Sequence, residues 1–571
     1  MSRTLSVAAL STLLAALPFE PRRPTLPLFG LELTLLEAVA AAAILVLLYA
    51  NRDRLRGLLR RPPLPLVFLW SYVAAQLLSA ALAPMNRGLA VKFALRMAAA
   101  AVFALAVAAM PRDVLRRAVP PLTVSCAVVA VLAILEGLGL IGLDRFLDHF
   151  RPGPFWIGLS RRAAAGSESP NLAAAMLLYG LVPAVGLLAL SGNARRVVIP
   201  LTVLFSMGLL FTYSRGGLIA LAVALAILCL ALTPGRRSLA RVPAAALTTL
   251  LAAGAVFAVT ARSLRWLPYL ATGIPAHAAR YAPGVTFLSF TPGEMRPVPV
   301  AITNSGSAAW SSAILGCSWQ GADAARAVDW LATSRCPVTR IPRAAPGETV
   351  NVAAAVRAPA NEGRYLLVWD LVADGWVFSS LGVAPAAVPA VVSGTPALAQ
   401  PFTHALPPGT WQRGRAPLWR TAVAMWKEYP VTGIGPDNFR WANAGYAGRP
   451  RGGPQDTLIP ANNMFLEAAA TTGTLGLIAL LGTFVGTARA AWRDLARAPT
   501  DSAQALFPAV VLALTAGIAV HGLVDSFLGF TAHYLFLGLV VGTASANAAS
   551  DRTGQSGIPA AARPGSPRPG G

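Results

Sequence analysis

Pro460-Ala-Asn-Asn-Met-Phe-Leu-Glu467 runs into Thr472-Gly-Thr-Leu-Gly-Leu477, and residues 471–488 form an apolar run. Crossing the hydrocarbon core of a bilayer takes about 20 such residues, so a polar, asparagine-rich segment here passes straight into a membrane span. Just upstream lie Arg415-Ala-Pro-Leu-Trp419 and Tyr429-Pro-Val-Thr-Gly-Ile-Gly-Pro-Asp-Asn-Phe439. Far upstream, Tyr213-Ser-Arg-Gly-Gly217 sits between two apolar runs. Cationic groups at a membrane face, joined to a segment rich in glycine and asparagine, point to a site for an anionic, lipid-linked substrate. The rest of the chain then reads as the scaffold that brings Arg215 and Arg415 together.

Of 571 residues, 55% are hydrophobic and only 12% are charged. Soluble proteins carry about a quarter charged residues, so this is an integral membrane protein. The net charge of +23 raises the question of nucleic acid. That class is excluded because the arginines sit mainly in short loops between apolar spans, where membrane topology alone requires them.

Apolar runs occur near 5–18, 31–49, 65–84, 89–110, 117–137, 171–190, 197–213, 217–233 and 242–261, then near 471–488, 505–524 and 529–547. The first could be read as a signal peptide, but no small-residue cleavage site follows it, so it reads as the first of about twelve helices. Arg52, Arg54, Arg56, Arg60 and Arg61 follow the second run, and Arg112, Arg116 and Arg117 the fourth. Arg195 and Arg196, then Arg236, Arg237 and Arg241, and finally Arg489, Arg493 and Arg497 follow the sixth, eighth and tenth. All fall on one side if both termini are cytoplasmic, which places 262–470 and Arg215 outside. The fold class expected is an all-α polytopic membrane protein with an inserted extracytoplasmic β-sandwich.

The β insert is read at 284–392. Val298–Thr303, Ala313–Trp319, Val350–Val356 and Tyr365–Val372 are short strand-like runs punctuated by Asn304-Ser-Gly306, Pro346-Gly347 and Glu362-Gly363, the rhythm of a sandwich. Trp310, Trp319, Trp369 and Trp376 read as packing rather than as a sugar-stacking platform. The expected division is an N-terminal membrane domain at 1–261, a linker at 262–283, the sandwich, an outer helical and loop segment at 393–470, a C-terminal membrane domain at 471–547, and a disordered cytoplasmic tail at 548–571. Of the four cysteines, Cys126 and Cys229 fall inside apolar runs and read as core. Cys317 and Cys336 lie in the polar region and are candidates for a disulfide outside the cytoplasm. No metal-ligand spacing appears, so no metal is expected.

A charged residue beside a span is costly and is by default a candidate for function, which singles out Arg215. Ser214 is placed to cap the next helix, and Gly216 and Gly217 permit close backbone approach. Lys92 and Arg96, one turn apart in the fourth run, either extend a basic track or pair with Glu37 or Glu136. Glu467 lies one turn beyond Asn463 and reads either as a cavity residue or as a charge favoured at a helix N-terminus. Asp525 either pairs with Arg215, lines the donor pocket or lies solvated at a helix end, while His521 and His533 read as packing or interface residues.

Tyr-Ser-Arg-Gly-Gly at the outer end of a mid-chain span, and Arg-x-x-x-Trp followed by Pro-x-x-Gly-x-Gly-x-x-x-Phe, resemble the motifs of the O-antigen ligase and O-antigen polymerase superfamily. Asn-Asn-x-Phe-Leu-Glu leading to Thr-Gly-x-Leu-Gly is also similar, as are Ser169-Pro170-Asn171 and Gly522-Leu-Val-Asp525-Ser. The resemblance covers nearly all of the membrane region in order, but not the β insert. That insert resembles small immunoglobulin-like modules that accompany carbohydrate-active proteins.

The family resemblance implies a GT-C-like bundle that transfers a glycan at the outer face of the bacterial cytoplasmic membrane. It implies a polyprenyl-pyrophosphate-linked donor, no cofactor, and a glycan, lipid or protein acceptor. Arg215 and Arg415 would bind the pyrophosphate, with Ser214, Gly216, Asn171, Gly433, Gly435, Asn463 and Asp525 in support. The chain departs from the family where ligases commonly carry His-Asn-x-Tyr/Phe-Leu, since the histidine position is Asn462. An amide cannot act as a base near neutral pH. Three readings stay open: positioning alone suffices in a polymerase-like member, another group such as Glu467, His404 or Asp437 serves as base, or the chain is an inactive scaffold. A polysaccharide transporter is the rival class, although no internal repeat is visible.

Overall fold

The computed structural model describes residues 2–23, 25–28, 31–140, 142–151, 155–157, 160–189, 194–233, 237–260, 277–321, 337–373, 376–378, 383–394, 415–446, 460–499 and 503–554. Before the β region come α1 (Ser2–Ala16), α2 (Leu35–Ala50), α3 (Arg52–Arg60), α4 (Leu64–Leu82), α5 (Arg87–Ala108), α6 (Arg112–Gly137) and the short α7 (Leu143–Leu147). They are followed by α8 (Pro170–Leu188), α9 (Ala194–Phe211), α10 (Arg215–Leu232) and α11 (Arg237–Thr260). After it come α12 (Arg415–Glu428), α13 (Phe439–Tyr446), α14 (Met464–Arg497), α15 (Leu506–Gly522) and α16 (Thr531–Gly554). Among the described residues six helices, α4, α5, α6, α8, α10 and α14, are long and apolar enough to cross a membrane. The bent pair α2 and α3 makes a seventh if counted as one span, and α1, α9, α11, α15 and α16 carry shorter apolar stretches.

The residues after Ala50 form a helix rather than the loop read from the sequence. Arg52, Arg54, Arg56 and Arg60 cannot continue a span, so the chain turns by 86° at Asn51. Leu55 and Leu58 face the core, so α3 has one apolar side and one basic side, the pattern of a helix lying in an interface.

The helices before and after the β region build one core rather than two. α14 packs on α4, α16 on α5, and α15 on α10 and α8, while α1, α8 and α9 pack on α6. A single hydrophobic cluster runs from Leu10 to Ala546. Its ends are marked by polar contacts. Arg3 meets Asp113 at 3.8 Å and Arg112 meets Asp494 at 3.9 Å. At the other end, Glu20 accepts the hydroxyls of Thr34 at 2.7 Å and Thr531 at 2.6 Å. Arg96 Nε donates to Glu37 Oε1 at 2.7 Å, one of the two roles open to it from sequence. Glu136 instead pairs with Arg151 at 3.1 Å.

Two small hairpins, β1 (Leu26–Leu28) with β2 (Leu31–Leu33) and β3 (Phe155–Ile157) with β4 (Ser160–Arg162), lie within the helical region. The β region holds β5 (Ala279–Pro283), β6 (Leu288–Phe290), β7 (Met295–Asn304), β8 (Ala313–Gly321) and β9 (Thr339–Ile341). It continues with β10 (Thr349–Arg357), β11 (Gly363–Ala373), β12 (Trp376–Val377) and β13 (Ala386–Val392). One sheet has the order β10-β7-β5 and the other β6-β13-β11-β8-β9, with β12 on β11. All pairs are antiparallel except β13 with β6, joined in parallel at Ala390–Leu288.

Apolar residues from both sheets share one core, because alternate side chains of each strand point inward. β5 pairs with β7 from Ala279 to Pro283, so the sheet starts inside the stretch read as a linker. Trp310, Trp319 and Trp369 are fully buried and pack as core; the side chain of Trp376 lies outside the described residues. Asn304 is buried, donating to the carbonyls of Ala308 and Ala344 and accepting from Gly306 N–H, which fixes the Asn-Ser-Gly turn. Cys317 is disulfide-bonded, and Cys336, proposed as its partner, lies outside the described residues. Cys126 and Cys229 are free.

Candidate functional site at one end of the helical bundle

Thr212 closes the end of α9 with a hydroxyl bond to Leu209 O at 2.6 Å, and Tyr213 turns the chain at φ +52°. Ser214 then caps α10, accepting Gly217 N–H at 3.2 Å. This leaves Arg215 as the first residue of the helix, and it is exposed. A Cβ at Gly217 would stand 2.6 Å from Ala174 Cβ, and one at Gly216 would overlap Val524. The two glycines therefore let α10 close on α8 and on the turn after α15.

Arg162, at the end of β4, was not singled out from the sequence. Its Nε donates to Thr212 O and its Nη2 to Asn171 Oδ1, each at 3.0 Å. Asn171 sits in the first turn of α8 behind the Ser169 cap, and its side chain holds Arg162. Burial lowers the basicity of Arg162, Asp525 opposes that shift, and Arg415 adds to it. Arg415 is likewise lowered first by burial, with Asp525 opposing and Arg215 adding. Arg162 and Arg415 thus share the field of one carboxylate, and Arg215 lies in the field of Arg415.

Asp525 is 6% exposed. One oxygen accepts Ser526 N–H at 2.8 Å, and Oδ2 is buried with no hydrogen-bond partner. Among the described residues none of Arg162, Arg215 and Arg415 stands in an ion pair. The cluster has a surplus of positive charge, which suits a phosphate or pyrophosphate.

Trp419 lies one turn after Arg415 and donates its Nε1–H to Asn462 O at 3.4 Å. Arg-x-x-x-Trp is therefore an anchor and a cation on one helix face. Asn462 adopts φ +51°. Asn463 is structural: its Oδ1 accepts the N–H groups of Phe465 and Leu466, and its Nδ2 donates to Leu523 O at 2.9 Å. Its backbone N–H meets Ser526 Oγ at 3.0 Å, and Met464 N–H meets Asp525 O at 3.0 Å. The start of α14 is so docked on the turn that carries Asp525.

Gly433 and Gly435 sit where the loop packs closely on its neighbours. Ile434 N–H and Gly435 N–H donate to the carbonyls of Ala470 and Thr471, and Thr474 N–H returns to Pro430 O. α14 breaks there, at Gly473 with φ +63°. A Cβ at Gly433 would overlap the Thr471 carbonyl, and one at Gly473 that of Val431. Two backbones meet with no room for side chains.

A cavity of about 310 Å³ lies next to this cluster, lined by Tyr72, Gln76, Arg96, Asp437, Arg440 and Glu467 among others, with Glu168 and Ser526. Arg440 donates to Asp437. Burial raises Asp437 above the usual carboxylate range against the pull of Arg440, and burial raises Glu168 against Arg22, Arg96 and Arg440. Glu467 Oε2 accepts Ala461 N–H at 3.2 Å. His533 bonds Tyr179 OH at 3.0 Å, a packing role. His521 is buried against Gly216, in the field of Asp525 and Arg415. His404 lies outside the described residues. Among the described residues no group of His, Cys, Asp and Glu side chains is arranged to hold a metal.

Residues 364–481 match the family model described as O-Antigen ligase. The matched segment begins in β11 and carries Arg415, Trp419, Gly433, Gly435, Asn462, Asn463 and Glu467 before ending in the membrane helix α14. A comparison with curated proteins gave no match. The matched segment, set in a bundle of apolar helices, is similar to the O-antigen ligase family over that stretch.

Proposed function

We propose that the chain is a glycosyltransferase that takes a glycan from a polyprenyl-pyrophosphate donor and passes it to an envelope acceptor or a growing polysaccharide. The observation that carries this reading is the cluster formed by Arg162 and Arg415 in the field of Asp525, with Arg215 in the field of Arg415, from four separate segments of the chain. As the anomeric C–O bond breaks, negative charge grows on the departing pyrophosphate. Fixed cations in a partly dry site stabilise that charge without reorganising, and a guanidinium fork matches phosphate oxygens in pairs.

The site is assigned to the outer face of the bacterial cytoplasmic membrane. The arginine-rich connections and the Arg3–Asp113 and Arg112–Asp494 contacts gather at the opposite end of the bundle, and cationic loops favour the cytoplasm. The lipid tail of the donor reaches the site laterally from the bilayer. The β-sandwich, inserted just before α12, is assigned to acceptor or partner engagement; an unchanged glycan product after deletion of 286–392 would remove that role.

The test is transfer by the purified protein from a polyprenyl-pyrophosphate oligosaccharide to an envelope extract, with Arg215→Ala and Arg415→Ala alongside. Release of polyprenyl pyrophosphate should fall about 10²- to 10³-fold in each variant, the usual cost of removing one stabilising group. Full turnover in both variants overturns the reading.

A further inference from the structure

The cavity beside the arginine cluster has the chemistry of a second substrate site. At about 310 Å³ it reaches the size at which small-molecule sites begin, about 300 Å³. Its charged lining is two arginines, Arg96 and Arg440, against three carboxylates, Glu168, Asp437 and Glu467. Both arginines are already engaged, Arg96 by Glu37 and Arg440 by Asp437. Glu168 and Glu467 hold no ion pair among the described residues. An anion is disfavoured here and favoured at the neighbouring cluster.

Gln76, 1% exposed, presents a buried Oε1 with no hydrogen-bond partner. Such an orphan acceptor calls for a ligand O–H or N–H. Tyr72, Phe93 and Phe530 supply apolar wall for the C–H face of a ring. The two sites meet across one peptide bond: Asp525 faces the arginines, and Ser526 lines the cavity.

We propose that this cavity holds the acceptor, a neutral or amino sugar at the end of a glycan, and that Glu467 takes the proton from its attacking hydroxyl. The assignment rests on the transfer reading above. The acceptor oxygen bonds to the anomeric carbon, the bond from that carbon to the pyrophosphate oxygen breaks, and its electron pair leaves with the pyrophosphate. The hydroxyl proton passes to the Glu467 carboxylate. Asn462 cannot take it, the side chain of Asn463 is committed to backbone groups, and Asp437 is tied to Arg440. Glu467 receives hydrogen bonds from Ala461 N–H and the Ser526 hydroxyl. It stands one turn into α14, beside the turn that carries Asp525.

The experiment uses the full chain in nanodiscs with a labelled polyprenyl-pyrophosphate disaccharide as donor. Methyl glycosides of N-acetylglucosamine, glucosamine and glucuronic acid serve as acceptors. The glucuronide should have kcat/KM at least tenfold below the other two. Glu467→Gln should bind the donor like the parent and lose at least 100-fold in kcat, within the range for general base catalysis. Adding Asn462→His to that variant should restore at least tenfold, with a pH profile rising near about 6.5, the imidazole range. Gln76→Leu should raise the acceptor KM about tenfold and leave kcat unchanged, which separates binding from chemistry.

Parental kcat in Glu467→Gln, equal use of the glucuronide, or no turnover of any of the three acceptors by protein that binds donor would each overturn the assignment. Failure of the transfer reading itself has a separate signature: equal donor binding by the parent and Arg415→Ala.

Discussion

Arg151 lies 3.1 Å from Glu136, and neither side chain has any exposed surface. Glu136 also accepts the N–H groups of Ala164 and Ala165 at 3.0 and 2.8 Å, two and three residues beyond Arg162. Arg151 reaches Asp144 as well, at 2.8 Å. A buried ion pair is weak as a source of stability but costly to break from one side. Here it pins the segment that presents one of the three site arginines. Arg151→Met leaves Glu136 buried without its cation, and unfolding in detergent should show a loss of about 3–5 kcal/mol. Donor binding should weaken with it.

Arg162 should matter as much as the two arginines legible from motifs. Arg162→Ala is expected to weaken donor binding at least tenfold, about 1.4 kcal/mol, with little change in thermal midpoint. Asn171→Ala should show a smaller effect in the same direction and almost none in the Arg162→Ala background, because Asn171 acts by holding Arg162. Full additivity of the pair would contradict that role.

Gly433 and Gly347 make a controlled comparison. Both have left-handed backbone, φ +67° and φ +81°. A Cβ at Gly347 meets nothing within 4 Å, whereas one at Gly433 strikes the Thr471 backbone. Gly347→Ala should cost about 1–2 kcal/mol of conformational strain. Gly433→Ala should cost more, and it should reduce turnover because the loop it displaces leads to Asp437 and Arg440. Thermal unfolding of the two variants in parallel checks the ranking.

The pH dependence of stability follows from Asp437, whose affinity for its proton burial raises above that of a free carboxyl. The folded chain binds that proton more tightly than the unfolded chain. The stabilisation is therefore complete below the unfolded value, about 3.9, and is lost as pH rises through the folded one. Asp437→Asn should remove that component. The stability of the parent relative to the variant should fall steadily from pH 4 to pH 7 in denaturant titrations. A constant difference would show that Arg440 cancels the burial effect.

Much of the membrane region could be read from hydropathy, because each span must satisfy its own backbone hydrogen bonds and so appears as a continuous apolar run. The bend at Asn51 was hidden because five arginines after a span look the same in a loop and in an interfacial helix. Arg215, Arg415, Asn463 and Asp525 were found through local motifs. Arg162 was not, although Arg161 and Arg162 form a basic pair on the side of the bundle where short loops are expected to lack one. Gly433 and Gly435 were read as supporting residues of a ligand site. Close contact between two backbones imposes the same residue type, and the sequence cannot distinguish the two. Gln76 carries no signal at all, since its importance lies in what surrounds its amide oxygen.

The arginines clustered around Asp525 and around one another are numbered 162, 215 and 415, and the chain leaves the ribosome from the N-terminus. During synthesis all three arginines emerge before the carboxylate that tempers their mutual repulsion. Until the turn after α15 is in place, α14 also lacks the Asp525 and Ser526 contacts that seat its first turn. The proposed phosphate-binding centre is thus among the last regions of the molecule to mature. A polypeptide truncated before residue 525 carries the cations without the centre.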